Sequence, residues 1–366
     1  MKKIMVVGAG KIGATIATLL GTAGDYAVTV VDASPAALAG IKAGPRLQLQ
    51  TLDVTNPVAL RAALKGQFAV LSAAPFHLST AIAEAAVAGK AHYLDLTEDV
   101  ASTRRVKELA AGAQSALIPQ CGLAPGFVSI VAADLCRRFD SLYSVRMRVG
   151  ALPQFPSNAL NYNLTWSTDG VINEYCEPCE AIVEGVLRQV PPLAEHEEFS
   201  LDGVTYEAFN TSGGLGTLCE TLLGKVRQLN YKTIRYPGHA AIMKALLNDL
   251  RLRERRGVLK DILENALPTT TQDVVIVFVT VSGQREGRLT QETYAHKVYS
   301  QVVDGALRSA IQITTAAGIC TVLDLLANGG LPAQGFVRQE EIALADFLAN
   351  RFGSAYAGHM AQRAAA

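Results

Sequence analysis

Residues 4–32 read IMVVGAGKIGATIATLLGTAGDYAVTVVD, and this stretch decides the fold. A strand-type apolar run at 4–7 leads straight into Gly8-Ala9-Gly10-Lys11-Ile12-Gly13. A helical pattern at 12–20 follows, and a second apolar run at 27–31 ends in Asp32, 19 residues beyond Gly13. That is one strand–turn–helix–strand unit carrying a dinucleotide fingerprint. Gly8 allows the tight turn, Gly10 lets backbone approach a pyrophosphate, Gly13 lets the helix lie close to the sheet, and the phosphates sit over unpaired N–H groups at the helix start. Asp32 can accept the ribose hydroxyls of an adenosine and would repel a 2′-phosphate. Ala33-Ser34-Pro35 offers no cation to reverse that preference, so NAD is the expected cofactor.

Strand and helix signals keep alternating after Asp32: strands at 47–54, 68–73, 93–96 and 116–120, helices at 57–65, 78–88 and near 101–111. This rhythm builds a doubly wound parallel sheet, because each crossover needs a helix to cover a face. Residues 1–124 are therefore read as a Rossmann NAD-binding domain. Ligands in such sheets lie beyond the carboxyl ends of the strands. On that rule Asp53 and Val54 border the adenine, Ser72, Ala73, Ala74 and Pro75 let the cofactor backbone pass closely, and Asp95 with Cys121 and Gly122 stands near the nicotinamide.

The rhythm changes after Gly126. Residues 142–149 and 162–166 read as strands, 199–209 as a hairpin turning at Asp202-Gly203, and 273–282 with 293–301 as a second hairpin. The expectation is an α+β domain of mostly antiparallel sheet at 125–308, used for substrate and dimerisation. An apolar helix at 309–326 and an amphipathic one at 340–351 belong to a C-terminal segment, 309–366, that packs back on the Rossmann domain. The alanine-rich tail is expected to fray.

Composition narrows the function. Lys+Arg and Asp+Glu both count 33 in 366 residues, so there is no basic excess of the kind nucleic acid or anionic lipid demands. The longest stretch without charge, 111–133, is interrupted by prolines and glycines and is not a spanning helix. The six cysteines lack a disulfide-framework spacing, and Cys176-Glu-Pro-Cys179 has no second ligand pair, so no metal is expected. A cytoplasmic protein with a small-molecule substrate, no nucleic-acid partner and no membrane partner is the reading.

Two segments carry candidate chemistry. Asp95, at a strand end, could position an amine or a proton, or cap the next helix. Cys121 lacks an evident cation to lower its pKa and reads as a wall residue. YKTIRYPGH, ending at His239, packs three potential cations and two phenols into nine residues. In it Arg235 could clamp a carboxylate bidentately, and His239 could move a proton near neutral pH or serve as a structural imidazole.

GAGKIG, HYLDLTED, CGLAPGF, TWSTDGVINEY, GLGTL and KTIRYPGH, in this order, resemble the saccharopine dehydrogenase-like family, and the last three are most similar to its lysine 6-dehydrogenase branch. The resemblance implies a homodimeric NAD enzyme that oxidises the side-chain amine of L-lysine to allysine, which cyclises to a piperideine carboxylate. It also implies that Arg235 and His239 fall in the substrate pocket. For lysine, Arg235 would hold the α-carboxylate, Glu174 or Asp169 the α-ammonium, with Trp166 lining the site, while Asp95 or His239 accepts the side-chain proton. The alternatives are an imine reductase of the saccharopine or carboxynorspermidine type, and a non-catalytic NAD-binding protein.

Overall fold

The computed structural model describes residues 1–357, so the alanine-rich tail lies outside the described residues. The chain divides into two compact units. One holds Met1–Phe127, Val302–Arg308 and the described chain from Gln312 to Ala357; the other holds Val128–Gln301 and Ser309–Ile311.

In the first unit, strands β1 (Lys2–Val7), β2 (Tyr26–Asp32), β3 (Leu47–Thr51), β4 (Ala69–Ser72), β5 (His92–Asp95) and β6 (Ala116–Ile118) alternate with helices α1 (Lys11–Ala23), α2 (Pro35–Ala39), α3 (Pro57–Leu64), α4 (Ser79–Gly89) and α5 (Val100–Ala110). Local chemistry sets the helix starts. Ser34, Asn56 and Asp99 each accept a backbone N–H of the first turn, and prolines open α2 and α3. The strands pair in parallel in the order β6-β5-β4-β1-β2-β3, which is the doubly wound arrangement with its switch point between β1 and β4. Gly335–Phe336 adds a seventh parallel strand beside β6, too short to leave a period in the sequence.

Helix Ala310–Ala327 has the length and composition of a membrane span, yet most of it is buried in the protein. Asp324 on it accepts the Tyr26 hydroxyl at 2.6 Å. The continuous helix expected at 340–351 is instead a short 3-10 turn, Gln339–Glu341, and a helix over Leu344–Ala349. Gln339 is buried and donates to the Pro119 carbonyl at 2.8 Å, a tertiary bond that overrides the helical period.

The second unit is built on an eight-stranded sheet: β7 (Ser141–Pro153), β8 (Cys179–Val183), β9 (Val186–Val190), β10 (Glu197–Leu201), β11 (Val204–Asn210), β12 (Gln228–Arg235), β13 (Asp273–Arg285) and β14 (Arg288–Tyr299). The path runs β10-β11-β12-β7-β13-β14, with β12 and β7 the parallel pair and its other neighbours antiparallel. Helices α6 (Phe127–Cys136), α7 (Thr168–Cys176), α8 (Leu218–Leu222), α9 (His239–Lys244) and α10 (Arg256–Ala266) complete the elements that matter here. Both expected hairpins form. The second is longer than its sequence pattern and turns at Glu286-Gly287, both at positive φ, as a two-residue hairpin requires.

Residues 162–166 are not a strand. Asn161 takes a left-handed conformation and Asn158 holds both ends of the Tyr162 backbone, leaving one isolated bridge, Leu164 to Thr269. A helix begins at His239 and changes to a π-helical turn over Ala245–Asp249.

Candidate functional site

The first unit carries a cradle at the carboxyl ends of its strands. A Cβ on Gly13 would fall 1.9 Å from the Gly8 carbonyl oxygen, and one on Gly8 would fall 2.8 Å from that of Ala73. The turn, the helix and β4 are thus packed without room for side chains. Gly10, by contrast, has open space where a Cβ would be, and α1 begins there with no side-chain cap on its N–H groups. That combination of open space with uncapped N–H dipoles suits a diphosphate. Lys11 is exposed and Ile12 half-buried on the same turn.

Asp32 closes β2 and accepts the Ala9 N–H at 2.7 Å and the Ser34 N–H at 2.8 Å, which aims its carboxylate at the glycine turn. Each oxygen keeps a lone pair for a hydroxyl. The Ser72 hydroxyl is buried without a partner at the end of β4, followed by Ala73, Ala74 and Pro75. Asp53 lies exposed past β3, its pKa lowered by the Thr55 hydroxyl and N–H, with Val54 buried beside it.

Asp95 is occupied. It is buried and accepts the Tyr93 hydroxyl at 2.8 Å, the Gln120 N–H at 2.8 Å and the Thr97 N–H at 3.1 Å. It ties two strand-end loops together, and α5 is capped by Asp99 instead. Burial raises its pKa to about 6 against those three donors. This is the geometry of a clamp, not of the proton acceptor expected from the sequence.

Glu98, in the same loop, is different. No other described residue donates a hydrogen bond to its carboxylate, and burial, with Asp99 and Asp95 adding, pushes its pKa up to about 7. The sequence points to Asp95 as the first acid past the strand. Only the three-dimensional count of donors separates the two. The Cys121 thiol is buried against Gln339 and the Ile118 carbonyl, and burial holds its pKa well above the ordinary value, so it is a wall. Gly122 packs beside it.

In the second unit, strand alternation sorts the cations of YKTIRYPGH. Tyr231, Thr233 and Arg235 share one face of β12; Lys232 takes the other, where it pairs with Glu197 at 2.9 Å next to Arg148. Arg235 is 2% exposed. Its Nε–H donates to the Tyr175 hydroxyl at 2.9 Å and one Nη1–H to the Ile234 carbonyl at 2.8 Å. Its Cζ lies 4.9 Å from the Tyr162 ring centroid. The rest of the fork has no protein acceptor among the described residues. Burial weighs against its charge, but Tyr175, Tyr162 and the buried Glu174 carboxylate hold its pKa above the ordinary value.

His239 lies at the end of a directed chain. Nδ1 donates to the Leu160 carbonyl at 2.9 Å, which fixes the tautomer, so Nε2 accepts the Tyr175 hydroxyl at 3.0 Å. Burial and then Arg235 lower its pKa to about 3. It therefore does not move a proton near neutral pH. It orients Tyr175, which orients Arg235.

Glu207 supports this corner, accepting the Gly238 and Ala240 N–H groups at the start of α9. Trp166 is half-buried and packed so tightly on Gly170 that a Cβ there would lie 2.3 Å from the ring. Asp169 does not join the cluster: it is exposed and paired with Lys260 at 2.6 Å. The α7 helix turns Glu174 and Tyr175 inward and Asp169 out. No group of metal-ligating side chains occurs among the described residues.

Two family models match end to end: the saccharopine dehydrogenase NADP binding domain over residues 4–121 and the saccharopine dehydrogenase C-terminal domain over 122–353. The chain belongs to the saccharopine dehydrogenase family. Saccharopine dehydrogenase (L-Glu forming) from Saccharomyces cerevisiae superposes with a TM-score of 0.73 at 16% identity, covering 99% of this chain and 98% of that one. A myo-inositol dehydrogenase from Corynebacterium glutamicum gives 0.46 at 11% identity over 94% of both chains. The first likeness establishes the shared fold. This saccharopine dehydrogenase family member is an oxidoreductase with a pyridine-nucleotide domain.

Proposed function

We propose that the protein oxidises the side-chain amine of L-lysine with NAD, giving allysine that cyclises to a piperideine carboxylate. The observation that carries this reading is Arg235: a fully buried guanidinium, oriented through its Nε–H and left with N–H groups to offer, with the buried Glu174 carboxylate near enough to act on its charge. An α-amino acid head supplies the complementary pair, its carboxylate for Arg235 and its ammonium for Glu174. NAD is preferred to NADP because a 2′-phosphate would meet the Asp32 carboxylate with no cation in Ala33-Ser34-Pro35 to offset it.

When bound, NAD supplies the hydride acceptor. The amine must lose one proton from nitrogen as the hydride leaves its carbon; the resulting imine takes up water and releases ammonia. Of the two strand-end acids, Glu98 alone has a carboxylate that no other described residue bonds, and burial lifts its pKa to about 7, so it is the one suited to take a proton near neutral pH. Asp95 holds the loops that carry it.

L-Lysine plus NAD should produce reduced nicotinamide, and Arg235→Ala should raise the Michaelis constant at least tenfold. An unchanged constant would refute the carboxylate clamp. The likeness to the yeast enzyme favours a second reading, reduction of an imine formed between an aldehyde and an amino acid. It predicts turnover with allysine, glutamate and reduced cofactor, and none with lysine alone.

A further inference from the structure

The hydroxyls of Tyr162 and Thr165 are buried, their residues 2% and 3% exposed, and neither has a hydrogen-bond partner. Both belong to the segment that abandons its strand pattern. Asn158 pins the Tyr162 backbone from both sides, so the ring is delivered against Arg235 and against His239, with ring centroids 5.4 Å apart in the latter case. Thr165 and Trp166 stand beside the Tyr162 hydroxyl. A chain that fixes a phenol this firmly and then leaves its oxygen unpaired holds it for something outside the protein.

Donor and acceptor capacity says what that is. Arg235 and the Trp166 indole N–H only donate. Were the Tyr162 and Thr165 hydroxyls to turn toward each other, one O–H proton would still lack an acceptor. The wall around Tyr162 is therefore rich in donors, which fits an anion with several lone pairs. We infer that Tyr162 and Thr165 complete the Arg235 site as a carboxylate subsite, specifying the α-carboxylate of the amino acid substrate. This assignment rests on the amino acid dehydrogenase reading and adds the residues that discriminate an amino acid from the corresponding amine.

The test is calorimetric binding to the full-length protein with saturating NAD, using L-norleucine, which has the α-amino acid head and no oxidisable side-chain amine, and 1-aminopentane, which lacks the carboxylate. Wild type should bind norleucine and not measurably bind the amine. Tyr162→Phe and Thr165→Val should each weaken norleucine about tenfold or more, the effect of a hydrogen bond to a charged group. Because the deleted hydroxyls have no partner in the protein, the ligand-free unfolding midpoint should stay level or rise in both variants.

Norleucine affinity unchanged in both variants overturns the assignment, as does failure of wild type to bind norleucine. A midpoint that falls with affinity intact also overturns it, by giving the hydroxyls a structural role. Variant-sensitive norleucine binding without lysine oxidation would uphold the subsite while refuting the lysine reaction.

Discussion

Tyr175→Phe deletes one oxygen and strands two buried partners. The hydroxyl accepts from Arg235 Nε at 2.9 Å and donates to His239 Nε2 at 3.0 Å, with His239 anchored in turn on the Leu160 carbonyl. A bond to a charged donor contributes about 1.5–3 kcal/mol and a neutral one about 0.5–1.5 kcal/mol. The combined loss is therefore about 2–4.5 kcal/mol, which lowers the unfolding midpoint by at least about 4 °C for a unit of this size. Freed from Tyr175, the guanidinium no longer presents a fixed fork, so the Michaelis constant for the amino acid rises while NAD affinity is unchanged.

His239→Phe in the Tyr175→Phe background removes the orphaned imidazole acceptor, so the double variant should lose less than the sum of the singles. Strict additivity, or a Tyr175→Phe midpoint within a degree of wild type, would refute the relay and with it the positioning role of His239.

Wild-type kcat/KM should rise as pH passes about 7, and Glu98→Gln should remove that rise. Since its folded pKa is raised from 4.5, the carboxylate destabilises the fold as pH rises through that interval; the Gln variant should gain stability relative to wild type above pH 7 and match it near pH 4, checked by unfolding midpoints. His239 has a lowered folded pKa, so its neutral form stabilises fully above about 6.5 and that advantage is lost as pH falls toward 3. His239→Phe should accordingly be less acid-sensitive than wild type, and an equal slope below pH 6 would contradict the buried neutral tautomer. Asp32→Asn should weaken NAD by about tenfold and narrow the preference over NADP, measured by titration; a wild type that prefers NADP would sink the ribose assignment.

The glycine turn was legible because its causes are local: backbone that cannot carry a Cβ must be glycine wherever the turn occurs, and Asp32 follows from strand length. The parallel sheet followed from alternation, and the hairpins from Asp202-Gly203 and a glycine-bounded turn. Residues 162–166 misled because an alternating apolar pattern also suits a loop whose side chains are buried one by one, and the deciding bonds come from Asn158. Asp169 and Glu174 were equivalent as acids on one helix until the helix was rotated against β12. The roles of Asp95, Glu98 and His239 depend on how many donors converge on each, a count that no spacing encodes.

The three buried cations on β12 and the adjacent β7 make the final point. Arg148 is 3% exposed and bonded to Glu197 and Asn230, while Lys232 on the same face shares Glu197. These charges are compensated within the sheet. Arg235, also deeply buried, bonds the Tyr175 hydroxyl and the Ile234 carbonyl; among the described residues no carboxylate is in bonded contact with it, and the buried Glu174 carboxylate acts on it only from a distance. A buried charge without a bonded counter-ion is costly, and the same chain shows that it can provide one where only stability is concerned. Withholding it at Arg235, while Tyr175 and His239 fix the fork, lowers the fold's stability in return for a cation that still has attraction to give to a substrate carboxylate.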